Sequence, residues 1–406
     1  MRKKMRLFSA FLAMILLLQN AVPAAASGNA AGWGKTGEEI PAEETEESEE
    51  ENPGEEENPG GEDSETGESE DGEDQDTNPL VIPEGTLEIE DNQYAGTDYT
   101  SVVIPDSVVR IGNWAFSGCT SLKSVTMGNG VAQIGFDAFY GTGLTSVSLP
   151  DSVTEIGSGA FRNCASLTSV KLSSRLTMIP DTLFYGCESL ESISVPDSVT
   201  QIQKLAFGRC AALKTVEIGS GLQQFVPADD YDGVHLTGLF PGCGALERIT
   251  VSSENPYYAS DASGILYGRQ DQSLLYCPVM LADTEVLVPE GIRRVEKAAF
   301  YGCSRLSSVR LPESLQSVAD LAFYGCGSLA SAELPEGLAE IGDQAFWGCS
   351  SLRTLALPEG LTGLGDEAFY GCSSLQALTL PEGLTSLGNS AFYGCSSLQT
   401  LTLPEG

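Results

Sequence analysis

The chain repeats its own pattern with a period of 22 or 23 residues. Cys164, Cys187 and Cys210 are 23 apart, as are Cys303, Cys326, Cys349, Cys372 and Cys395. Phe116, Phe139, Phe161, Phe184 and Phe207, and again Phe300, Phe323, Phe346, Phe369 and Phe392, recur at 22 or 23. A period of this length confines the fold to a solenoid. One such unit cannot bury its own Leu, Phe and Cys, whereas stacked units each add a layer to a continuous core.

Residues 381–403 give the unit most cleanly. Apolar positions 398, 401 and 403 predict a short strand, with 401 and 403 alternating. Pro404 closes it, because proline cannot donate to a central ladder. A Glu-Gly turn follows, then a second apolar stretch at Leu384 and Leu387. The next Gly-Asn or Gly-Asp step predicts a capped, brief helical turn that carries Ala391 and Phe392 inward and ends at Gly394-Cys395. Twelve aromatic slots, starting at Tyr94, plus one irregular turn give about thirteen coils. At ~4.8 Å between paired strands the stack is roughly 60 Å long.

The pattern breaks in one region. Phe207 and Phe240 are 33 apart, and Phe240 and Phe300 are 60 apart. The first gap holds an insertion at residues 227–235. The second holds residues 264–277, which read as two short strands joined by an Arg-Gln-Asp-Gln turn. This divides the repeats into an array over 79–207, an irregular region with insertion and hairpin island over 208–288, and a second array over 289–406. The island suits either a functional loop or a splice between arrays.

Ahead of the repeats lie two segments of different composition. Arg2, Lys3, Lys4 and Arg6 precede an apolar run at residues 7–18 and the small residues Ala24-Ala25-Ala26. That order reads as a secretory signal peptide over 1–26. A run of twelve residues spans only about 18 Å, short of a ~30 Å bilayer core. Residues 27–78 read as a disordered acidic linker: positions 37–78 hold 21 Asp or Glu and no Lys or Arg. The formal net charge is −36, and residues 79–406 alone keep −20 of it. Such a balance argues against nucleic acid and anionic lipid as partners, since both demand basic patches. Nothing after the signal segment is apolar enough to insert in a membrane.

Ala160-Phe161, Cys164, Leu167, Val170 and Leu172-Ser173 form a motif that recurs with the more typical Leu311-Pro312. In this the chain resembles the BspA-type leucine-rich repeats of bacterial surface proteins. Residues 255–267 (NPYYASDASGILY) resemble an element those proteins carry between repeats. The resemblance covers residues 80–406. It implies a leucine-rich-repeat solenoid of short parallel β-strands and brief helical turns. For function it implies adhesion and binding of host matrix proteins, without assigning binding residues. The array also stops two residues into a new turn, with no polar cap and no LPxTG-type sorting signal, so further sequence is expected downstream.

Catalytic signatures are missing from the inventory. His235 is the single histidine, which excludes a His-rich zinc site and leaves any Ser-His-Asp constellation dependent on it. There is no G-x-S-x-G, Walker loop or H-E-x-x-H. Asp229, Asp230 and Asp232 resemble part of a calcium loop, but the rest of an EF-type loop is missing. No enzyme activity, cofactor or metal is expected.

Eleven cysteines in a secreted chain would ordinarily suggest disulfides. Ten of them occupy one slot of the repeat, with Thr142 filling that slot once. Stacked side chains point in parallel, which opposes the disulfide dihedral, so buried free thiols are expected. Cys277 lies off this ladder and is the candidate for reactivity.

Two surfaces are candidates for binding. On the strand expected to line a concave face, Ser124, Ser146, Ser169, Ser192, Thr215, Ser308, Ser331, Thr354 and Thr400 make a hydroxyl stripe. Beside it the outward slots vary: Lys171, Ser194, Glu217, Arg310, Glu333 and Thr379. The second surface is an aromatic column of Tyr301, Tyr324, Trp347, Tyr370 and Tyr393, one residue after each buried Phe. It suits sugar stacking, or mutual stacking that covers the solenoid's side. Together these features point to a secreted or cell-surface module that binds an extracellular protein or glycan, an adhesin. The alternative is an envelope spacer without a specific ligand.

Overall fold

A computed structural model describes residues 78–228 and 237–403. The signal-peptide and acidic-linker readings, the Asp229–Asp232 cluster, His235 and the end of the chain lie outside the described residues, Asn78 of the linker excepted. The described residues form a β-solenoid whose coils turn through three faces.

The first face carries the longer strands. They run from Pro79–Val81 and Ser101–Ile104 through Ser192–Val195 and Thr215–Ile218 to Thr400–Thr402. With Thr354 joined by single bridges to Ser331 and Ala377, fourteen rungs line this face, one more than the aromatic slots suggest. Pairing is parallel and in register, so equivalent residues stack: Ser192 on Thr215, and Ser308 on Ser331. Alternation sends Val309 and Leu311 into the core and leaves Arg310 outside. The second face carries two-residue strands such as Glu88–Ile89 and Glu340–Ile341, each burying its second residue.

The third face is not helical. Among the described residues no helix occurs; a ladder of turns replaces the brief helical turns expected from the sequence. In each regular turn two residues four apart take left-handed φ, as Leu321 (59°) and Gly325 (73°) do. That geometry aims alternate N–H groups at the next coil: Leu321, Phe323 and Gly325 donate to Asp343, Ala345 and Trp347 at 2.7–2.9 Å. A non-glycine residue in this conformation costs about 1 kcal/mol or more. Inter-coil hydrogen bonds offset that cost, because buried N–H groups left unpaired cost more. Gly325 also brings its backbone close to the coil before, 3.9 Å from the Gly302 Cα at the Cβ position.

The core is a set of columns. Tyr94, Phe116, Phe139, Phe161, Phe184, Phe207 and Phe240 stack in succession with ring centroids 5.2–6.1 Å apart. Phe300, Phe323, Phe346, Phe369 and Phe392 do the same at 4.7–5.8 Å. Between the two stacks lies the island. Its strands Leu266–Gly268 and Ser273–Tyr276 pair antiparallel, and Tyr258–Ser260 adds a third strand. Strand alternation makes the island two-sided. Leu266 and Tyr276 pack into the first array's core, while Ile265, Tyr267, Leu274 and Cys277 pack into the second. The island is therefore a septum shared by two hydrophobic cores. Ser273 and Leu274 then pair in parallel with Arg294 and Val295, which restarts the short-strand face.

Candidate binding surface

The long-strand face presents two exposed columns. Ser169, Ser192, Ser331 and Thr354 are exposed in the first, and Ser308 is half-buried. The stripe is not purely hydroxylic: register places Arg248 beyond Thr215, Glu285 before Ser308 and Ala377 beyond Thr354. The second column carries Lys171, Ser194, Glu217, Thr250, Leu287, Arg310, Glu333 and Thr379. Arg310 Nε approaches Glu333 Oε2 at 2.8 Å, with both side chains more than two-thirds exposed. Solvent screening makes such a pair worth little to stability. Its effect here is to align a positive and a negative group on adjacent coils.

Leu287 sits on the Arg310 column, 69% exposed, where no core can use it. Sequence reading passed over it and over Arg248 and Glu285, because all three border the irregular region where the repeat count is lost. The signal that finds them is the β-register, not the period.

The aromatic column is a continuous stack. Tyr301–Tyr324, Tyr324–Trp347, Trp347–Tyr370 and Tyr370–Tyr393 have centroids 4.5–5.5 Å apart and interplanar angles of 2–20°. The rings spend their faces on one another, so the interior members offer edges and polar tips to solvent. Tyr393, at the last ring, is exposed. In the first array the same slot holds Tyr140, Arg162 and Tyr185, with the Arg162 guanidinium 5.7 Å from one ring centre and 5.5 Å from the other. The slot keeps the repeat's spacing there but alternates Tyr with Arg, so no run of aromatics marks this cation–π continuation in the sequence.

All eleven cysteines are buried and free. Ten form the ladder, and their thiols have a defined task. The Sγ of Cys164 donates to the Phe139 carbonyl of the preceding coil at 3.1 Å, and Cys326 and Cys372 repeat this toward Phe300 and Phe346. The slot thus needs a small residue with a donor. Thr142, also small and carrying a hydroxyl, fills the slot in one coil, where its Oγ1 lies 3.1 Å from the Cys164 sulfur. Burial pushes the Cys164 thiol up to about 11 and those of Cys243, Cys349 and Cys395 up to about 12.

Cys277 does not have the accessibility that a reactive thiol requires. Its N–H donates to Ala299 as Phe300 does to Ala322, and its carbonyl accepts from Cys303 Sγ, so it occupies the Phe slot of its coil. It is 1% exposed, and burial holds its thiol well above the ordinary value. Thiolate is the nucleophile, so this site is inert. Under denaturing, non-reducing conditions a thiol reagent should label all eleven cysteines, and on the native protein few. Several unreactive equivalents in the denatured sample would mean disulfides and would overturn the free ladder.

Acidic side chains at one corner complete the electrostatics. The Ser174 and Ser220 backbone N–H groups hold the Asp151 and Asp197 carboxyls below their ordinary value. These carboxylates are hydrogen-bond acceptors for the next coil. Among the described residues no group of three or more His, Cys, Asp or Glu could hold a metal ion, and no helix is long and apolar enough to cross a membrane.

The family model described as the BspA-type leucine-rich-repeat region matches residues 87–225 and 282–399 in six copies. The chain belongs to this family. The unmatched stretch between is where the insertion and the island lie. The solved structure of a leucine-rich cell-surface protein from Faecalibacterium prausnitzii is 31% identical, with a TM-score of 0.63 over 81% of this chain and 88% of that one. A leucine-rich-repeat protein from Bacteroides ovatus (23% identical, TM-score 0.52, covering 80% and 86%) shares the fold. So does the pneumococcal vaccine antigen PcpA, 21% identical with a TM-score of 0.54 over 81% and 78%. No curated protein matches the chain.

Proposed function

We propose that this BspA-type repeat protein is a secreted or cell-surface adhesin that binds an extracellular protein or glycan, including host matrix, through its long-strand face. One observation carries the reading. Two register-locked columns of exposed side chains line this face, and the second differs from coil to coil beside a mostly hydroxylic first, while the core beneath them repeats. Variation on a fixed scaffold suits recognition, since a partner reads the outward residues and the core holds their spacing. Ser308, Arg310, Ser331, Glu333 and the exposed Leu287 bring hydroxyl, both charges and an apolar side chain together on adjacent rungs. The signal-peptide reading of residues 1–26 supports export.

The protein probed against glycan and extracellular-protein arrays should give specific, saturable hits. An absence of hits at high concentration favours the spacer reading. Once a partner is in hand, Ser308→Arg with Ser331→Arg should weaken its binding at least tenfold with unchanged circular dichroism. Unchanged affinity in a folded double variant would exclude the long-strand face as the site.

A further inference from the structure

Both departures from the repeat meet beside one cleft. The insertion leaves the array after Phe225 and returns at Thr237, its stem closed by a two-way backbone pairing of Ala228 with Gly238 at 2.9 and 3.2 Å. The island supplies the opposite wall, and the first coil of the second array supplies the rim. Between them is a cavity of about 390 Å³. Small-molecule sites run from roughly 300 to 1,000 Å³.

The lining is divided by chemistry. Phe225 and Tyr258 meet edge to face at 5.7 Å, and Leu239 and Leu275 extend this apolar wall. Tyr258 is fixed in place: its hydroxyl donates to the Gln223 carbonyl at 3.2 Å and accepts from the Phe225 N–H at 3.1 Å. Around the wall stand two cations, Arg294 and Lys297, and two carboxylates, Asp271 and Glu296. Arg294 Nε lies 3.4 Å from Glu296 Oε1, and Glu296 is half-buried. A purely anionic guest would meet both carboxylates, and a purely cationic one would meet both cations. A guest carrying both charges satisfies the rim, and an apolar side chain satisfies the wall.

We propose that this cleft binds a small zwitterion with an apolar side chain, an amino acid or a dipeptide. The guest's ammonium group is taken by Asp271 and Glu296, its carboxylate by Arg294 and Lys297, and its side chain lies against Phe225 and Tyr258. Charge-assisted hydrogen bonds set its orientation, and apolar burial adds affinity. This site is separate from the long-strand face and does not depend on adhesion.

Titration calorimetry of the full chain with L-tryptophan and with the dipeptide Leu-Phe tests it. Saturable one-to-one binding of at least one probe is expected. Blocking both ends, as in N-acetyl-tryptophan amide, should weaken tryptophan binding at least tenfold, and a blocked Leu-Phe should behave alike. Arg294→Gln with Lys297→Met, checked for folding by circular dichroism, should cost at least as much. No saturable binding of either probe, or equal binding of blocked and free forms, overturns the proposal. So does undiminished binding by the folded double variant. Should that variant fail to fold, the comparison of blocked and free probes decides alone.

Discussion

Raising the pH from about 8 to about 10 should sharply lower the denaturant midpoint of this protein, and threonine in the thiol ladder should blunt that loss. Burial raises the Cys164 thiol from its ordinary 9.0 to about 11, and those of Cys243, Cys349 and Cys395 to about 12. Cys187, Cys210, Cys326 and Cys372 are pushed well up by the same burial. The native state therefore holds these protons more tightly than the unfolded chain does. Stability from this source is complete below the unfolded thiol's value and is lost as pH rises from there through the folded value. One pH unit above that point, each such thiol removes about 1.4 kcal/mol. Several in one array match the whole stability of an ordinary domain.

Tyrosine adds to the trend, because burial also raises Tyr258 and Tyr276. The comparison that isolates the thiols is Cys326→Thr, Cys349→Thr and Cys372→Thr together. Thr142 already occupies this slot in one coil, its hydroxyl against the Cys164 sulfur, and threonine keeps a small side chain with a hydrogen-bond donor there. The triple variant should recover about 1.4 kcal/mol per replaced thiol at pH 10 relative to pH 8. An identical pH dependence in parent and variant would show that the ladder's protons play no part in stability.

Much of this architecture is legible in the sequence because solenoids write their layers directly into spacing. Phe323, Cys326 and Leu329 recur unit after unit and land in columns, as their period demands. The hairpin at residues 264–277 is equally legible, since two alternating runs flank a polar turn. The third face is not. Gly-Asn-Ser-Ala-Phe at 388–392 carries the marks of a helix start, yet Ser390 and Gly394 take left-handed φ. Leu205, Leu321 and Ala298 do likewise, and nothing in those residue types announces it. What selects that backbone is hydrogen bonding to the neighbouring coil, a partner that a single unit does not contain.

The candidate site divides along the same line. Ser308, Arg310, Ser331 and Glu333 fall on one outward face because alternation is local. Leu287 and the cleft beside Tyr258 depend on how the irregular region folds back on the arrays, where neither period nor alternation applies. Cys277 shows the hazard of counting alone. It falls off the ladder in sequence because it has moved to the Phe slot, deeper in the core rather than nearer to solvent.

Replacing Asn255 should separate the two arrays. This side chain is 2% exposed and uses every hydrogen-bonding valence it has. Its Nδ2 donates to the Gly219 and Leu222 carbonyls at 3.0 and 3.1 Å. Its Oδ1 accepts from the Tyr257 and Tyr258 N–H groups at 2.9 and 2.8 Å. The amide thus ties the last regular turn of the first array to the first strand of the island. Asn255→Leu keeps the branching at Cγ, in a somewhat larger side chain, but leaves four backbone groups without partners, each costing about 1–3 kcal/mol when buried. A loss of roughly 4 kcal/mol or more is expected locally. The island feeds Leu266 and Tyr276 into one core and Leu274 and Cys277 into the other, so its loosening weakens the interface that couples them. Nearest-neighbour coupling is what makes a solenoid unfold as one body. The parent should then melt in a single calorimetric transition and Asn255→Leu in two, with amide exchange accelerated first at residues 258–276. Asn255→Asp, which keeps the acceptor and loses the donors, should fall between. A single transition in Asn255→Leu, less than 1 kcal/mol below the parent, would mean that the two cores hold together without this amide.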